Sequence, residues 1–392
     1  MKYNFDKEVK RLNTDCVKWN NLGEGVLPMF IADMEFEVLP EITNAIIERA
    51  KHGVFGYNDM SCSYRESVCA WLKRRHEMNV EHEWIVVTDS VLAAIVYAIE
   101  AYTDENDAII IQSPVYPRFA TCIENCDRKV VRNSLLETED GYRIDFEDFE
   151  NKIIDNNVKA FILCSPHNPV GRIWTADEIE KMAKICAKHN VMLIADEIHH
   201  DFISEGHKFV SVCNVASFEP TQTIILTSPS KTFNIAGLKN ANALIPDKAN
   251  RELFKKKRDR FGGHSGNIFG LIATEQAYLH GDEYVDQLKK YIEDNGKYLS
   301  EFLNSKYHKV KMTNMEATYL AWLDFRAYDS VMKDIHYELL KKAKIAGSNG
   351  ASFGEEGIGF ERINVACPRS QLLLAIDKLD EYLSKLEKGE TA

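Results

Sequence analysis

The segment 226-LTSPSKTFNIAGL-238 places a single lysine, Lys231, among small, polar and apolar residues. An ammonium group is strongly hydrated, so poorly solvated surroundings lower its pKa and favour the neutral amine. A neutral lysine amine can attack a carbonyl carbon and form a Schiff base. The same segment also fits a solvated turn, in which Ser-Pro-Ser ends a strand and Lys231 lies in water. The lysine alone does not separate these two interpretations.

Short apolar runs alternate with helical patterns through the middle of the chain. They predict strands over residues 84–88, 108–111, 160–164, 191–195 and 223–227, and a helix over 90–102. A further helix should begin after Thr175, which is spaced to form a capping box with Glu178. Continuous apolar strands between helices are typical of a parallel sheet buried on both faces. The sequence therefore predicts an α/β fold.

Polar side chains follow these strands at the point where each strand ends. They are Ser90, Tyr116, Asn168, Asp196, Ser228 and Lys231. In parallel sheets of this kind, ligands bind at the carboxyl ends of the strands. The sequence thus predicts one binding site at that edge, built from residues that are far apart along the chain.

The last part of the chain has a different pattern. Helices are predicted over residues 282–303 and 370–388, and shorter strands over 319–323 and 361–365. This mixture indicates a separate, smaller α+β domain. We expect a long helix near residues 265–285 to join the two domains.

Composition excludes several classes of protein. The 392 residues carry a net charge of −12, whereas a nucleic-acid-binding protein usually presents a basic face. The first residues contain no apolar signal-peptide core, and no apolar run is long enough to span a bilayer. Nine scattered cysteines without a Cys-x-x-Cys pair suit reduced thiols in a cytoplasmic protein.

The residues at the strand ends match the needs of an aldehyde cofactor with a pyridine ring and a phosphate. Such a group needs a lysine for its aldehyde and an acidic residue that keeps the ring nitrogen protonated. It also needs an aromatic face, a donor for its phenolic oxygen, and hydroxyls and helix-start amides for its phosphate. Lys231, Asp196, Tyr116, Asn168, and Ser228 with Ser90 could serve these purposes in that order.

Several motifs carry a resemblance to a known family. They are PVYP (114–117), CSPHNPVGR (164–172), ADEIHHDF (195–202), SPSKTFNIAGLK (228–239) and ERINVACPR (361–369). Together they resemble the fold-type I pyridoxal-phosphate (PLP) enzymes. MFIADMEFEVLPEI (29–42) and HGVFGYND (52–59) narrow the likeness to bacterial C–S lyases of the cystathionine β-lyase type, the MalY/PatB group, which is related to class I and II aminotransferases. The resemblance extends from about Asp15 to the end of the chain.

The resemblance implies a role for each matching residue. Lys231 would bond to the aldehyde and act in catalysis with Tyr116, which also stacks on the ring. Asp196 would pair with the pyridine nitrogen, while Asn168 and His199 would lie near the phenolic oxygen. The phosphate would be held by Ser228, Ser230, Ser90, Val91 and Lys239, and by Tyr57 from the neighbouring subunit. Arg362 would bind the substrate α-carboxylate through its bidentate guanidinium group.

The same resemblance implies an architecture and an assembly. The fold would be that of aspartate aminotransferase, with a mostly parallel seven-stranded sheet in a large PLP-binding domain over residues 45–278. Residues 1–44 and 279–392 would form the small domain. The protein would be a homodimer whose active sites are shared between subunits, acting on a small amino-acid substrate.

Some of these residues also have ordinary structural interpretations. Asp196 and Glu197 could cap a helix, Tyr116 could pack within a loop, and Tyr57 could pack in the core. Adjacent His199 and His200 are of a type that binds metals, but neighbouring side chains point in different directions, so no metal site is predicted.

Two further positions bear on the binding of ligands. Arg362 could pair with an internal acid such as Asp33 or Glu361 instead of a substrate. Asp89 stands where relatives usually have proline, and a carboxylate beside a phosphate is unfavourable. We therefore expect Asp89 to point away from the phosphate or to pair with a cation.

The reaction is less well determined than the cofactor. The lyase-like HNPVGR, ADMEF and FGY segments favour β-elimination from a sulfur amino acid such as cystathionine, giving a thiol, pyruvate and ammonia. The alternative is a class I/II aminotransferase. A second class is a non-catalytic regulator that uses the same fold to bind a partner protein, although the complete set of chemical groups argues against it.

Overall fold

The computed structural model of the chain describes residues 2–20, 22–139, 141–263 and 266–389. The helices are α1 (Val17–Asn20), α2 (Pro40–Lys51), α3 (Cys62–His76), α4 (Val91–Tyr102), α5 (Arg118–Asn125), α6 (Phe146–Asp155), α7 (Ala176–Lys188), α8 (Pro229–Thr232), α9 (Lys248–Arg260), α10 (Ile268–His280), α11 (Asp282–Lys306), α12 (Ile335–Glu338) and α13 (Arg369–Glu387). The strands are β1 (Leu27–Pro28), β2 (Ile85–Thr88), β3 (Ala108–Ser113), β4 (Lys129–Ser134), β5 (Leu136–Thr138), β6 (Gly141–Arg143), β7 (Ala160–Cys164), β8 (Met192–Asp196), β9 (Thr223–Thr227), β10 (Ala241–Leu244), β11 (Lys311–Met312), β12 (Leu320–Asp324), β13 (Ile345–Ala346), β14 (Ser348–Asn349) and β15 (Phe360–Asn364).

Seven strands form the central sheet, in the order β2-β10-β9-β8-β7-β3-β4. Strands β4, β3, β7, β8 and β9 pair in parallel, whereas β10 is antiparallel to both β9 and β2. The mostly parallel α/β sheet predicted from the sequence is confirmed. Strands β7 and β9 have the predicted bounds, and the other predicted strands agree within two residues.

Alternate residues of the central strands enter two apolar layers on opposite faces of the sheet. In β3, Ile110 belongs to one buried cluster, while Ile109 and Ile111 belong to the other. This arrangement explains why the strands read as continuous apolar runs, because both faces are covered by helices. The capping box of Thr175 and Glu178 at the start of α7 is present as predicted.

A smaller antiparallel sheet, β11-β12-β15-β14, follows in the C-terminal part. Its strands β12 and β15 pack against the long helices, since Leu323 and Ile363 line one apolar region with Leu299 of α11 and Leu372 of α13. The N-terminal strand β1 pairs with β13. We propose on this ground that residues 1–44 and 279–392 form one domain and 45–278 another, although residues 1, 21 and 390–392 of the former and 140 and 264–265 of the latter lie outside the described residues.

The expected single helix over residues 265–285 is wrong. Residue 265 lies outside the described residues, and two helices, α10 and α11, meet at Gly281. A Cβ atom at Gly281 would collide with the Ala277 carbonyl oxygen and the Phe233 ring, so the close approach requires glycine. Within the described part of the chain, no helix is both long enough and apolar enough to cross a membrane.

Candidate active site

The central sheet brings the predicted polar residues to one edge. Strands β3, β7, β8 and β9 run in the same direction, and β2 joins them because β10 is antiparallel to both of its neighbours. Their carboxyl ends lead to Ser90, Tyr116, Asn168, Asp196, Ser228 and Lys231. The position of the site at this edge therefore follows from the topology.

Lys231 lies in the short helix α8, which Ser228 caps at its N-terminus. Its Nζ atom donates a hydrogen bond of 2.7 Å to the carbonyl oxygen of Ala32. Burial, together with the positive charge of Arg362, lowers the pKa of Lys231 to about 8. The amine is thus held against the backbone of a distant segment, and a larger fraction of it is neutral than in a solvated lysine.

Asp196 ends β8 and is 6% exposed. Burial raises the pKa of its carboxyl group to about 7, although the Ile198 amide donates to it at 3.1 Å. Among the described residues, no cation lies within ion-pair distance of Asp196. The segment after it is a turn, so Asp196 caps no helix. A buried carboxylate of this kind fits a cationic ligand.

His199 lies three residues beyond Asp196 and is buried. Its Nδ1 atom has no hydrogen-bond partner in the described part of the chain. Burial lowers the pKa of His199 well below its usual value, so the ring is neutral at physiological pH. The unpartnered nitrogen of a buried ring indicates a place where a ligand's polar atom fits.

Arg362 is the buried cation of the site. Its Nη1 donates to Asn168 Oδ1 at 2.8 Å and its Nη2 to Ser348 Oγ at 3.1 Å, while Nε has no partner in the described residues. The bond to Arg362 occupies the amide oxygen of Asn168 and leaves its nitrogen as a donor. This hydrogen bond fixes the position of the Arg362 guanidinium group relative to the Asn168 amide.

Neither internal acid considered from the sequence neutralises Arg362. Asp33 pairs with Arg11 at 2.6 Å and with Lys18 at 3.2 Å. Glu361 lies 3.0 Å from His336 Nδ1. Burial of a guanidinium group without a carboxylate costs free energy, and it lowers the pKa of Arg362 to about 10. The arrangement fits a carboxylate supplied by a ligand.

The start of helix α4 has the features that an anion-binding element needs. Ser90 caps the helix by accepting from the Ala93 amide at 3.1 Å, and the Val91 and Leu92 amides donate no hydrogen bond within the described residues. Free amides and the helix dipole favour a phosphate at this position. Asp89 is exposed beside the cap.

The serines of α8 are held to each other. Ser228 Oγ donates to the Asn240 carbonyl oxygen at 2.7 Å and accepts from the Ser230 amide at 3.1 Å. Ser230 Oγ lies 2.8 Å from Ser228 Oγ. Lys239 is exposed, with a left-handed backbone at φ 49°. Their roles toward a phosphate stay predictions.

Two tyrosines behave differently. Tyr116 is partly buried, with its ring edge-on to Phe119 at 5.7 Å, and burial raises its pKa. Tyr57 is fully exposed, which excludes packing in the core, and neighbouring Val54 and Phe55 are 61% and 57% exposed. In the described part of one chain, Tyr57 makes no hydrogen bond to another predicted site residue.

The segment 31-IADMEF-36 contributes groups that the sequence did not identify. The Ala32 carbonyl oxygen accepts from both Lys231 and the Tyr319 hydroxyl, the latter at 2.9 Å. Asn364 Nδ2 donates to the Ile31 and Asp33 carbonyl oxygens at 2.8 and 2.7 Å. The segment was noted as a motif, but a backbone carbonyl has no residue signature, so its contact with Lys231 was not predictable.

The resemblance stated from the motifs is confirmed by comparison with known proteins. The chain is 39% identical to cystathionine beta-lyase PatB of Bacillus subtilis, over 97% of this chain and 100% of that protein. It is 32% identical to protein MalY of Escherichia coli, over 94% and 96% of the two chains. Among solved structures, cystalysin from Treponema denticola, which contains a pyridoxal 5'-phosphate cofactor, superposes with a TM-score of 0.95 at 36% identity, covering 98% of this chain and 100% of the other. Residues 18–379 match the profile of one family, and the chain therefore belongs to the aminotransferase class I and II family.

Proposed function

We propose that the protein is a PLP-dependent C–S lyase that cleaves the Cβ–S bond of cystathionine or a related sulfur amino acid. The products are a thiol (homocysteine from cystathionine), pyruvate and ammonia. The observation that carries this proposal is the near full-length likeness to a cystathionine beta-lyase, in a chain whose site holds an amine of lowered pKa. The runner-up is amino transfer, which the name of the family favours.

The site meets the requirements of PLP on physical grounds. Among the described residues, the Asp196 carboxyl has no cation beside it, His199 Nδ1 has no partner and the amides at the start of α4 are free. These three groups suit a cationic nitrogen, a polar oxygen and an anion respectively. We propose that Lys231 holds the aldehyde carbon and that Tyr116 stacks on the ring. Asn168 would donate to the phenolic oxygen. The phosphate would be bound by Ser90, Val91, Ser228, Ser230 and Lys239.

The proposed steps use groups of the chain whose charges suit them. Arg362 binds the substrate α-carboxylate and fixes Cα in the site. Once the substrate amine has taken its place at the aldehyde carbon, Lys231 as a neutral amine would accept the Cα proton. The electron pair released from the Cα–H bond then forms the Cα=Cβ double bond as the Cβ–S pair leaves with sulfur. PLP, when bound, supplies a protonated ring that stabilises negative charge at Cα.

The leaving thiolate needs a proton. After it has accepted the Cα proton, the Lys231 ammonium can donate it to sulfur, so that the amine is regenerated. Tyr116 is the other donor, because burial raises its pKa and keeps the phenol protonated. Release of the thiol leaves an unsaturated amine, which water converts to pyruvate and ammonia.

We further propose a homodimer with shared active sites in the cytoplasm. The exposed apolar residues Val54 and Phe55 beside the fully exposed Tyr57 support an interface there, because large exposed apolar groups tend to mark contacts between proteins. Tyr57 would then reach the phosphate site of the neighbouring subunit. All nine cysteines are free, which suits a reducing compartment.

A coupled assay tests the function directly. Purified protein loaded with PLP is mixed with cystathionine, and pyruvate is followed with lactate dehydrogenase. Continuous release of pyruvate and a thiol supports the lyase, and Lys231→Ala is the control that should lose it. Rapid amino transfer to a 2-oxo acid without pyruvate would instead establish the runner-up.

A further inference from the structure

A second group of chemically capable side chains lies apart from the residues assigned to catalysis. His76 ends α3, while His200 and Asp201 lie in the turn after β8. All three are buried, with exposed fractions of 8%, 0% and 2%. One ligand atom from each lies within 4.8 Å of the others. The side chains of His199 and His200 thus point in different directions, as expected. His200 lies close to His76 and Asp201, which the sequence analysis did not associate with it.

The separations within this cluster are close to those around a metal ion. His76 Nε2 lies 2.8 Å from Asp201 Oδ1, and His200 Nε2 lies 3.5 Å from Asp201 Oδ2. Tetrahedral zinc with bonds of about 2.0–2.1 Å places neighbouring nitrogen and oxygen ligands about 3.3 Å apart. The two imidazoles, whose ring centres are 4.1 Å apart and whose planes are inclined by 32°, would have to reorient to share an ion.

His200 supplies an independent reason to expect a ligand. Neither of its ring nitrogens has a hydrogen-bond partner within the described residues, although the residue is fully buried. A hydrogen-bonded pair of His76 and Asp201 would explain those two residues, but among the described residues it leaves His200 Nδ1 without a partner and Nε2 with only the long contact of 3.5 Å to Asp201 Oδ2. Buried polar atoms without partners are rare in folded proteins because losing water without a replacement is costly.

The ligand types of the cluster suit a cation. Asp201 supplies a carboxylate, and His76 and His200 supply imidazole nitrogens that can donate an electron pair to a metal ion. Arg75 and Lys289 lie nearby and oppose a cation, but Arg75 is paired with Asp286 at 2.8 Å.

We infer that His76, His200 and Asp201 form a binding site for a divalent transition-metal ion, with zinc as the ion that this ligand set favours. The three residues line a cleft of about 660 Å³ between the 203–209 segment and helix α11, which gives the ion an entry path and leaves space for a further ligand in its fourth position. The Thr232 hydroxyl donates to Asp201 Oδ2 at 2.7 Å and orients the carboxylate.

The ion would have a structural effect at a point next to the catalytic lysine. Thr232 directly follows Lys231, so a metal that fixes Asp201 also fixes the end of α8. Ion binding to the folded state alone stabilises that state by mass action. The proposed β-elimination requires no metal, so the test of the zinc site and the test of the lyase activity are independent of each other.

The test uses the PLP-loaded protein, stripped of metal with a chelator and then dialysed against Zn²⁺ alone. We expect one zinc ion per chain by elemental analysis. X-ray absorption should show nitrogen and oxygen at about 2.0–2.1 Å with the outer-shell scattering of imidazole. His200→Gln should weaken zinc binding at least about tenfold, whereas His207→Gln, which changes an exposed histidine of the same cleft, should leave it unchanged.

Three results would overturn the proposal. They are retention of less than about a tenth of an equivalent by the unaltered chain, a first shell that contains sulfur from one of the free cysteines, and equal zinc affinity in the His200→Gln variant. If that variant fails to fold, stoichiometry and X-ray absorption of the unaltered chain decide the matter.

Discussion

Arg362 Nη1 donates a hydrogen bond of 2.8 Å to Asn168 Oδ1. The group that we propose binds the substrate carboxylate is therefore in direct contact with the group that we propose binds the cofactor's phenolic oxygen. Because the bond fixes which end of the Asn168 amide is left as a donor, a change at either residue alters the other. We therefore expect substrate and cofactor recognition to be coupled through this pair.

Arg362→Lys should lower kcat/KM for cystathionine about 100-fold, mainly through KM, because lysine cannot replace a bidentate guanidinium group. Asn168→Ala should weaken retention of PLP and also lower kcat/KM. In the double variant the loss of kcat/KM, expressed as a free energy, should be smaller than the sum of the two single losses, since each single change already disturbs the shared bond. Arg326→Lys, which changes an arginine paired with Asp324, is the matched control. Strict additivity would show that the two residues act independently.

The rate at which cofactor-free protein takes up PLP should depend on pH through Lys231. Its pKa is lowered to about 8 by burial and by Arg362, so the neutral amine that reacts with an aldehyde makes up about a tenth of the population at pH 7. The second-order rate should rise through pH 8 and level off above it. The measurement is stopped-flow absorbance near ~420 nm. A rate that still climbs through pH 10, as for N-acetyl-lysine amide, would contradict the lowered pKa.

Asp196 should affect stability in opposite directions with and without cofactor. Burial raises the pKa of its carboxyl group from 3.8 to about 7. Between these two pH values the folded state therefore keeps a proton on Asp196 that the unfolded state has released. Stability from this group is present below about pH 4 and is lost as pH rises through 7. Relative to Asp196→Asn, the cofactor-free protein should therefore lose several degrees of Tm between pH 4.5 and 7.5.

Bound PLP should reverse that difference, because the Asp196 carboxylate then pairs with a protonated ring nitrogen. Thermal unfolding of the loaded proteins at pH 7.5 should show the unaltered chain to be more stable than Asp196→Asn. Equal Tm values for the two loaded proteins would mean that Asp196 does not face the ring.

The sequence predicts what depends on local pattern and fails where the fold depends on contacts. Continuous apolar runs revealed β7 and β9, but β10 reads ANAL, with no β-branched residue and with a buried Asn242 that accepts from the Tyr64 hydroxyl. The candidate catalytic residues could be proposed from the sequence because their motifs are distinctive. The contact of Lys231 with the Ala32 carbonyl oxygen and the contact of His76 with His200 could not be predicted, because only tertiary packing creates them.

The break between α10 and α11 should be required for stability. Gly281→Ala places a methyl group against the Ala277 carbonyl and the Phe233 ring, and overpacking of this kind costs about 1–3 kcal/mol. Gly23→Ala, where the added carbon meets only Val26 at 3.8 Å, should be neutral. Urea unfolding of both variants measures the difference. A Gly281→Ala variant as stable as the original would mean that the two helices can shift at no cost.

Shared active sites predict rescue between two damaged chains. If Tyr57 serves the partner's site, a mixed dimer of Lys231→Ala and Tyr57→Ala chains contains one site with both defects and one with neither. Random reassociation of equal amounts then leaves about a quarter of all sites intact, so about a quarter of the original activity should return. Arg362 lies in the same site as Lys231 of its own chain, and mixing Lys231→Ala with Arg362→Lys should restore nothing. If the mixture of Lys231→Ala and Tyr57→Ala chains has only the average activity of its two components, Tyr57 does not contribute to the neighbouring subunit's site.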